Sequence, residues 1–142
     1  MEVKMVSIIV GNKGSGKTKR LIDMVNHAAD ASRGNVICVE KGQKLTFDVA
    51  HRVRLVDTEA YGINGYDEYY GMLSGLCAGN YDLTDIFGDA TLKIGGRDFE
   101  ALAHFLDRIS ALAEESNTRF TFTISCDASE LPAGIEHFAQ VL

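Results

Sequence analysis

Apolar residues in this chain fall into short unbroken runs separated by stretches where they recur every three or four positions. The runs are Val6-Ser7-Ile8-Ile9-Val10, Asn35-Val36-Ile37-Cys38-Val39-Glu40, Val53-Arg54-Leu55-Val56-Asp57, Leu83-Thr84-Asp85-Ile86-Phe87-Gly88-Asp89 and Phe120-Thr121-Phe122-Thr123-Ile124-Ser125. Short continuous runs of β-branched and aromatic residues predict strands of a parallel sheet covered on both faces. Between the first two runs, Leu21, Val25, Ala28 and Ala29 share one helical face, and a glycine C-cap is expected near Arg33-Gly34. Tyr66, Tyr69, Tyr70, Leu73 and Leu76 predict a second helix over Gly65 to Asn80, its aromatic stripe read as core packing. Ile94 to Asp98 reads as a turn, with Asp98 capping a helix that buries Phe99, Leu102, Leu106, Ile109 and Ala113. A last helix is expected from about Ser129 to Ala139, with Pro132 tolerated in its first turn. Leu45 to Ala50 reads equally as a turn of helix or a short hairpin arm. Strands alternating with helices predict an α/β fold, three layers deep, around a mainly parallel sheet of about five strands.

Between the first strand and the first helix stands Gly11-Asn12-Lys13-Gly14-Ser15-Gly16-Lys17-Thr18, a complete G-x-x-x-x-G-K-[ST] loop. Gly11, Gly14 and Gly16 let the backbone wrap with its N–H groups inward, because positive φ and close approach to a ligand both exclude a Cβ. The following helix adds unpaired N-terminal amides and the positive end of its dipole. Lys17 supplies an ammonium for the β- and γ-phosphates, and the Thr18 hydroxyl is a magnesium ligand. A nucleoside triphosphate, ATP or GTP, with Mg2+ is the ligand this loop predicts. An acid at the end of a neighbouring strand completes such a metal site. Two acids compete: Asp57 closes the cleaner apolar run, while Asp89 follows a long helix, as where one extra strand separates the loop strand from the acid strand. Asp89 is the favoured of the two.

The 142 residues suit one domain, spanning 1–142, with 46% hydrophobic content for its core. No apolar stretch approaches the ~20 residues needed to cross a bilayer, and Met1 to Lys4 leads straight into the first strand rather than into a leader, so the cytoplasm is expected. The formal charge of −6 lacks the basic footprint of a general nucleic-acid binder. Cys38, Cys77 and Cys126 are odd in number and widely spaced, as reduced core cysteines are, and the four histidines show no metal spacing. A protein partner or self-association is left open.

The order of loop, helix, strand ending in Glu40, strand at 53–57, helix, strand ending in Asp89, helix and strand at 120–125 resembles the RecA-like core of the P-loop NTPases. It is also similar to small bacterial ATP-binding proteins. The resemblance implies that Glu40 activates the attacking water and that Ser125 or Asp127 senses the γ-phosphate. No acid follows Asp89, where Ala90 and Thr91 stand, so the Asp-Glu pair of many ATPases and of thymidine kinases is absent. Slow hydrolysis with Lys17 and Glu40 as catalytic residues is the leading reading. The alternatives are a nucleotide-dependent regulatory module without turnover and a small-molecule kinase whose acceptor site lies in segment 58–70. Arg97 is read as a solvated turn residue in preference to an arginine finger.

Overall fold

The central strands align side by side because they carry branched or aromatic residues on both faces, leaving neither face fit for water, while the edge strands at Arg54–Asp57 and Gln140–Val141 are more exposed. The computed structural model describes residues 4–142. The start of the chain, on which the expectation of no leader rests, lies largely outside them. β1 (Val6–Gly11), β2 (Asn35–Glu40), β3 (Arg54–Asp57), β4 (Leu83–Gly88), β5 (Arg119–Ser125) and β6 (Gln140–Val141) form one sheet in the order β3-β2-β4-β5-β1-β6, all parallel. One strand, β5, therefore separates the loop strand β1 from β4.

Helix α1 (Lys17–Ala31) lays Leu21, Val25 and Ala29 on one face of the sheet against Ile9, Val36, Cys38 and Phe87. Helices α2 (Tyr66–Gly79) and α4 (Phe99–Ser116), with the short α3 (Thr91–Gly95) that links β4 to α4, cover the other face. There Tyr69 stacks on Phe105, whose ring meets Phe122 edge-on. The tyrosine stripe is thus core packing at Tyr66 and Tyr69. Asp98 caps α4 as expected, accepting N–H bonds from Glu100 and Ala101 at 3.1 Å.

Three local expectations are corrected, and one open alternative is resolved. α1 stops at Ala31, three residues before Gly34, with Ser32 extended; Gly34 is needed because a Cβ there would run into the Asp82 carbonyl, not to cap a helix. Leu45 to Ala50 is the single turn of the two readings offered, not a hairpin arm: the Asp48 and Val49 N–H groups both donate to the Leu45 carbonyl, at 3.0 and 3.2 Å, and Leu45 and Val49 are buried. The residues after Asp89 form α3, introduced by Ala90 in the left-handed region at φ 56°. The last helix does not form. Asp127 and Glu130 close a capping box on a single 3-10 turn at Ala128–Glu130, Pro132 brings no N–H, and Gly134 at φ 85° reverses the chain into a second turn at Ile135–His137. Gln140–Val141 then pairs with Ser7 and Ile8 as the sixth strand, where about five were expected.

Candidate functional site

Parallel strands of this order bring their C-terminal ends to one edge, the place where open α/β sheets hold ligands. Gly11 stands level with Ser125, Val39 with Gly88, and Glu40 with Asp57. Every acid singled out from the sequence therefore lies on that edge, and strand order alone separates them.

The loop takes the shape its glycines allow. Gly14 and Gly16 adopt φ 86° and 88°, which side chains strain against. Gly11 is glycine for a different reason: a Cβ there would press on the Ser15 hydroxyl. The Asn12 carbonyl accepts the Ser15 N–H and the Lys17 Nζ, each at 3.1 Å, so Asn12 and Ser15 shape the loop while Lys13, Gly14, Gly16, Lys17 and Thr18 line the cleft beside it. No acid occupies the first turn of α1, so its N–H groups and dipole end stay available to an anion.

Thr18 Oγ1 lies 3.2 and 3.3 Å from the two Asp89 oxygens. Asp89 is the residue after β4, and its N–H donates to the Val39 carbonyl at 2.9 Å. Its carboxylate is gripped from β5 as well: Thr123 Oγ1 donates to Asp89 Oδ1 at 2.6 Å and accepts the Ala90 N–H at 3.1 Å. Thr123 is buried and was not legible as a site residue, being one of two threonines alternating with apolar residues in a strand. Only the strand order sets it against Asp89.

Asp57 is elsewhere. β3 is the far edge strand, with β2, β4 and β5 between it and β1, and Asp57 Oδ1 accepts the Gly42 and Glu59 N–H groups at 2.8 and 2.9 Å. Glu40 is buried at the end of β2 and lines the cleft. Loss of hydration pushes its carboxyl above the usual range, N–H bonds from Lys44 and Leu45 pull it back, and the charges of Asp57 and Asp89 raise it again. Ser125 lines the cleft, and its carbonyl accepts from Arg97 at 3.2 Å. Asp127 instead caps the turn at Ser129, whose N–H bond holds its carboxyl below the usual range. Cys38, buried in the core beneath α1, has its thiol pushed up to about 12, mainly by burial and further by the charges of Glu40 and Asp89.

The cleft has a volume of about 970 Å3, and its lining holds seven of the chain's 14 lysines and arginines against three acids, Glu40, Glu59 and Asp89. An acidic protein thus concentrates half its positive side chains around one hollow, which favours a compact polyanion there. Thr18 and Asp89 offer a hydroxyl and a carboxylate side by side, hard oxygen donors of the kind magnesium takes together with phosphate oxygens and water.

No protein-family model matches the chain, and no curated protein matches it. Among solved structures, C. elegans PCH-2 is similar to it at a TM-score of 0.59, with 14% identity, over 99% of this chain and 35% of that one. The chain thus spans about a third of the length of PCH-2. At this identity the likeness is one of fold alone, an α/β architecture around an all-parallel, six-stranded sheet. No helix among the described residues is long and apolar enough to cross a membrane.

Proposed function

We propose that this chain binds a magnesium nucleoside triphosphate, ATP in preference to GTP, and hydrolyses it slowly. The observation that carries this reading is the Thr18 hydroxyl 3.2 Å from the Asp89 carboxylate, at the foot of a complete glycine loop. In this reading the loop amides and the N-terminus of α1 hold the phosphates, and Lys17 leaves the Asn12 carbonyl to meet them. Thr18 and Asp89 hold magnesium, which when bound neutralises phosphate charge. Glu40, with a raised carboxyl beside the Asp89 strand, accepts the proton of the attacking water; Ser125 faces the terminal phosphate from β5. The strand order, with β5 between β1 and β4, supports a RecA-like arrangement.

One observation favours a second reading, a nucleotide-dependent switch without turnover. Glu40 Oε1 already accepts the Lys44 N–H at 2.9 Å, so the carboxylate also serves to hold the loop after β2. The small-molecule kinase remains a third reading, with Glu59 of segment 58–70 in the cleft lining.

Calorimetry with Lys17→Ala tests the core of the proposal. Loss of a charge-assisted contact worth roughly 1.5–3 kcal/mol should weaken nucleotide binding at least about tenfold. Equal binding by wild type and variant would refute it. Glu40→Gln then separates the first two readings: an enzyme keeps its affinity and loses turnover by roughly a hundredfold or more, whereas a switch releases no phosphate above the Lys17→Ala background.

A further inference from the structure

The loop accounts for only part of the cleft's positive charge. Lys41, Lys44 and Lys93 line the same hollow from the end of β2 and from α3. β2 is the third strand from β1, so at ~4.8 Å per strand its end stands about 14 Å from the loop strand, with the β4 strand that leads to Asp89 between them. Among the described residues none of these lysines forms an ion pair, although Glu40 and Glu59 share the lining. Ammonium groups gathered in one hollow repel each other, and a chain with 20 acids has many places to pair them.

Their arrangement is built rather than incidental. Glu40 Oε1 accepts the Lys44 N–H at 2.9 Å, and Asp57 Oδ1 accepts the Gly42 N–H at 2.8 Å, where Gly42 turns at φ 94°. These two buried or half-buried acids bend the segment after β2 so that Lys41 and Lys44 face the cleft. Lys41 Nζ then reaches across to the Lys93 carbonyl at 3.2 Å, bringing the ends of β2 and α3 together. Asp57, which the sequence offers as a rival metal ligand, instead shapes this side of the cleft.

We propose that the β2–α3 side of the cleft is a second anion subsite, which holds the phosphate of a small phosphorylated ligand next to the terminal phosphate of the nucleotide. Its position relative to the nucleotide rests on the function proposed above; its affinity for phosphate does not. Three lysines supply compact point charges suited to a phosphate, and a net charge of −6 disfavours a long polyanion, which would feel the whole molecule. The volume of about 970 Å3 is at the upper end of the range for small-molecule sites, leaving room beyond the loop.

The test uses inorganic tripolyphosphate as probe, titrated by calorimetry into the full chain saturated with a non-hydrolysable triphosphate at fixed free magnesium. One further equivalent should bind. The variant Lys41→Gln/Lys44→Gln/Lys93→Gln should bind it about tenfold or more weakly while its nucleotide affinity stays within about threefold. The matching arginine triple variant should keep both. Absence of the second equivalent, equal binding by the glutamine variant, or a parallel loss of nucleotide affinity would each overturn the subsite. In a Lys17→Ala background the lysine-dependent binding should persist, so the subsite stands or falls even if the chain takes no nucleotide. A single-stranded oligonucleotide that displaces the probe at equal phosphate concentration would transfer the subsite to nucleic acid and overturn the small-ligand assignment.

Discussion

Thr123→Val removes one hydroxyl of nearly the same shape and two hydrogen bonds. The lost bond to Asp89 Oδ1, at 2.6 Å, is charge-assisted and worth roughly 1.5–3 kcal/mol; the Ala90 N–H, which donates to the Thr123 hydroxyl at 3.1 Å, loses its acceptor at roughly a further 1 kcal/mol. Asp89 and Ala90 are half-buried, so water recovers part of this, and a net cost of about 2–4 kcal/mol is expected. For a chain of this size that lowers the Tm by roughly 5–15 °C. The informative effect is a separate one. A carboxylate held from β5 meets magnesium without further ordering, whereas a free one must be fixed on binding, at about 1–2 kcal/mol, or roughly five- to thirtyfold in magnesium-linked affinity.

The assay is a magnesium titration at fixed nucleotide, run well below the Tm of each variant, beside thermal unfolding. Thr123→Val should shift the magnesium midpoint upward, and Thr123→Ser, which restores the hydroxyl, should return it to within about twofold. A variant that loses stability while its magnesium midpoint stays put would refute the reasoning. Thr123 would then be a core hydroxyl with no part in presenting Asp89.

Asp89→Asn should weaken magnesium-dependent nucleotide binding by about tenfold or more, through loss of a charged ligand, while Asp57→Asn should leave it within about threefold and reduce tripolyphosphate binding instead; the same titrations read both. Glu40 has a raised carboxyl pKa in the folded chain, so its contribution to stability is fully present below the unfolded value near 4.5 and is lost as pH rises through the folded value. Denaturant unfolding of wild type and Glu40→Gln across pH 4.5–8 should therefore show wild type losing stability relative to the variant as pH rises. A gap that is constant or widens in the opposite sense would mean that the Lys44 and Leu45 N–H bonds outweigh burial.

Much of the fold was legible because its strands are written as continuous apolar runs and its loop as a contiguous motif, both local signals. The C-terminal segment was not. Ile135 and Ala139 are buried at a helical spacing, yet they dock through a 3-10 turn, because Pro132 and Gly134 deny the backbone a continuous ladder, and the pairing of Gln140–Val141 with β1 is too short to register as a pattern. Helix α3 was equally hidden, since its five residues depend on Ala90 taking a conformation that no neighbouring residue demands.

The site divides along the same line. Lys17 and Thr18 stand out by spacing, whereas a strand-end position marks Asp57 as well as Asp89, and only the strand order sets Asp89 beside Thr18. Thr123 does not stand out, because its bond to Asp89 depends on β5 lying beside β4, a neighbour relation that no stretch of sequence contains. Lys41 and Lys93, 52 positions apart and joined at 3.2 Å, are invisible for that reason too. Net charge misleads most: −6 over the whole chain describes a surface that repels anions, while parallel strands ending at one edge collect seven cations around a single hollow. In the function proposed above, an anion entering the cleft meets the local sum of charge, screened from the distant acids over a Debye length of about 8 Å. Raising salt should accordingly weaken nucleotide capture, measured as the nucleotide Kd across a salt series, since screening reduces the attraction of the partly buried cleft even as it relieves the repulsion of the exposed surface.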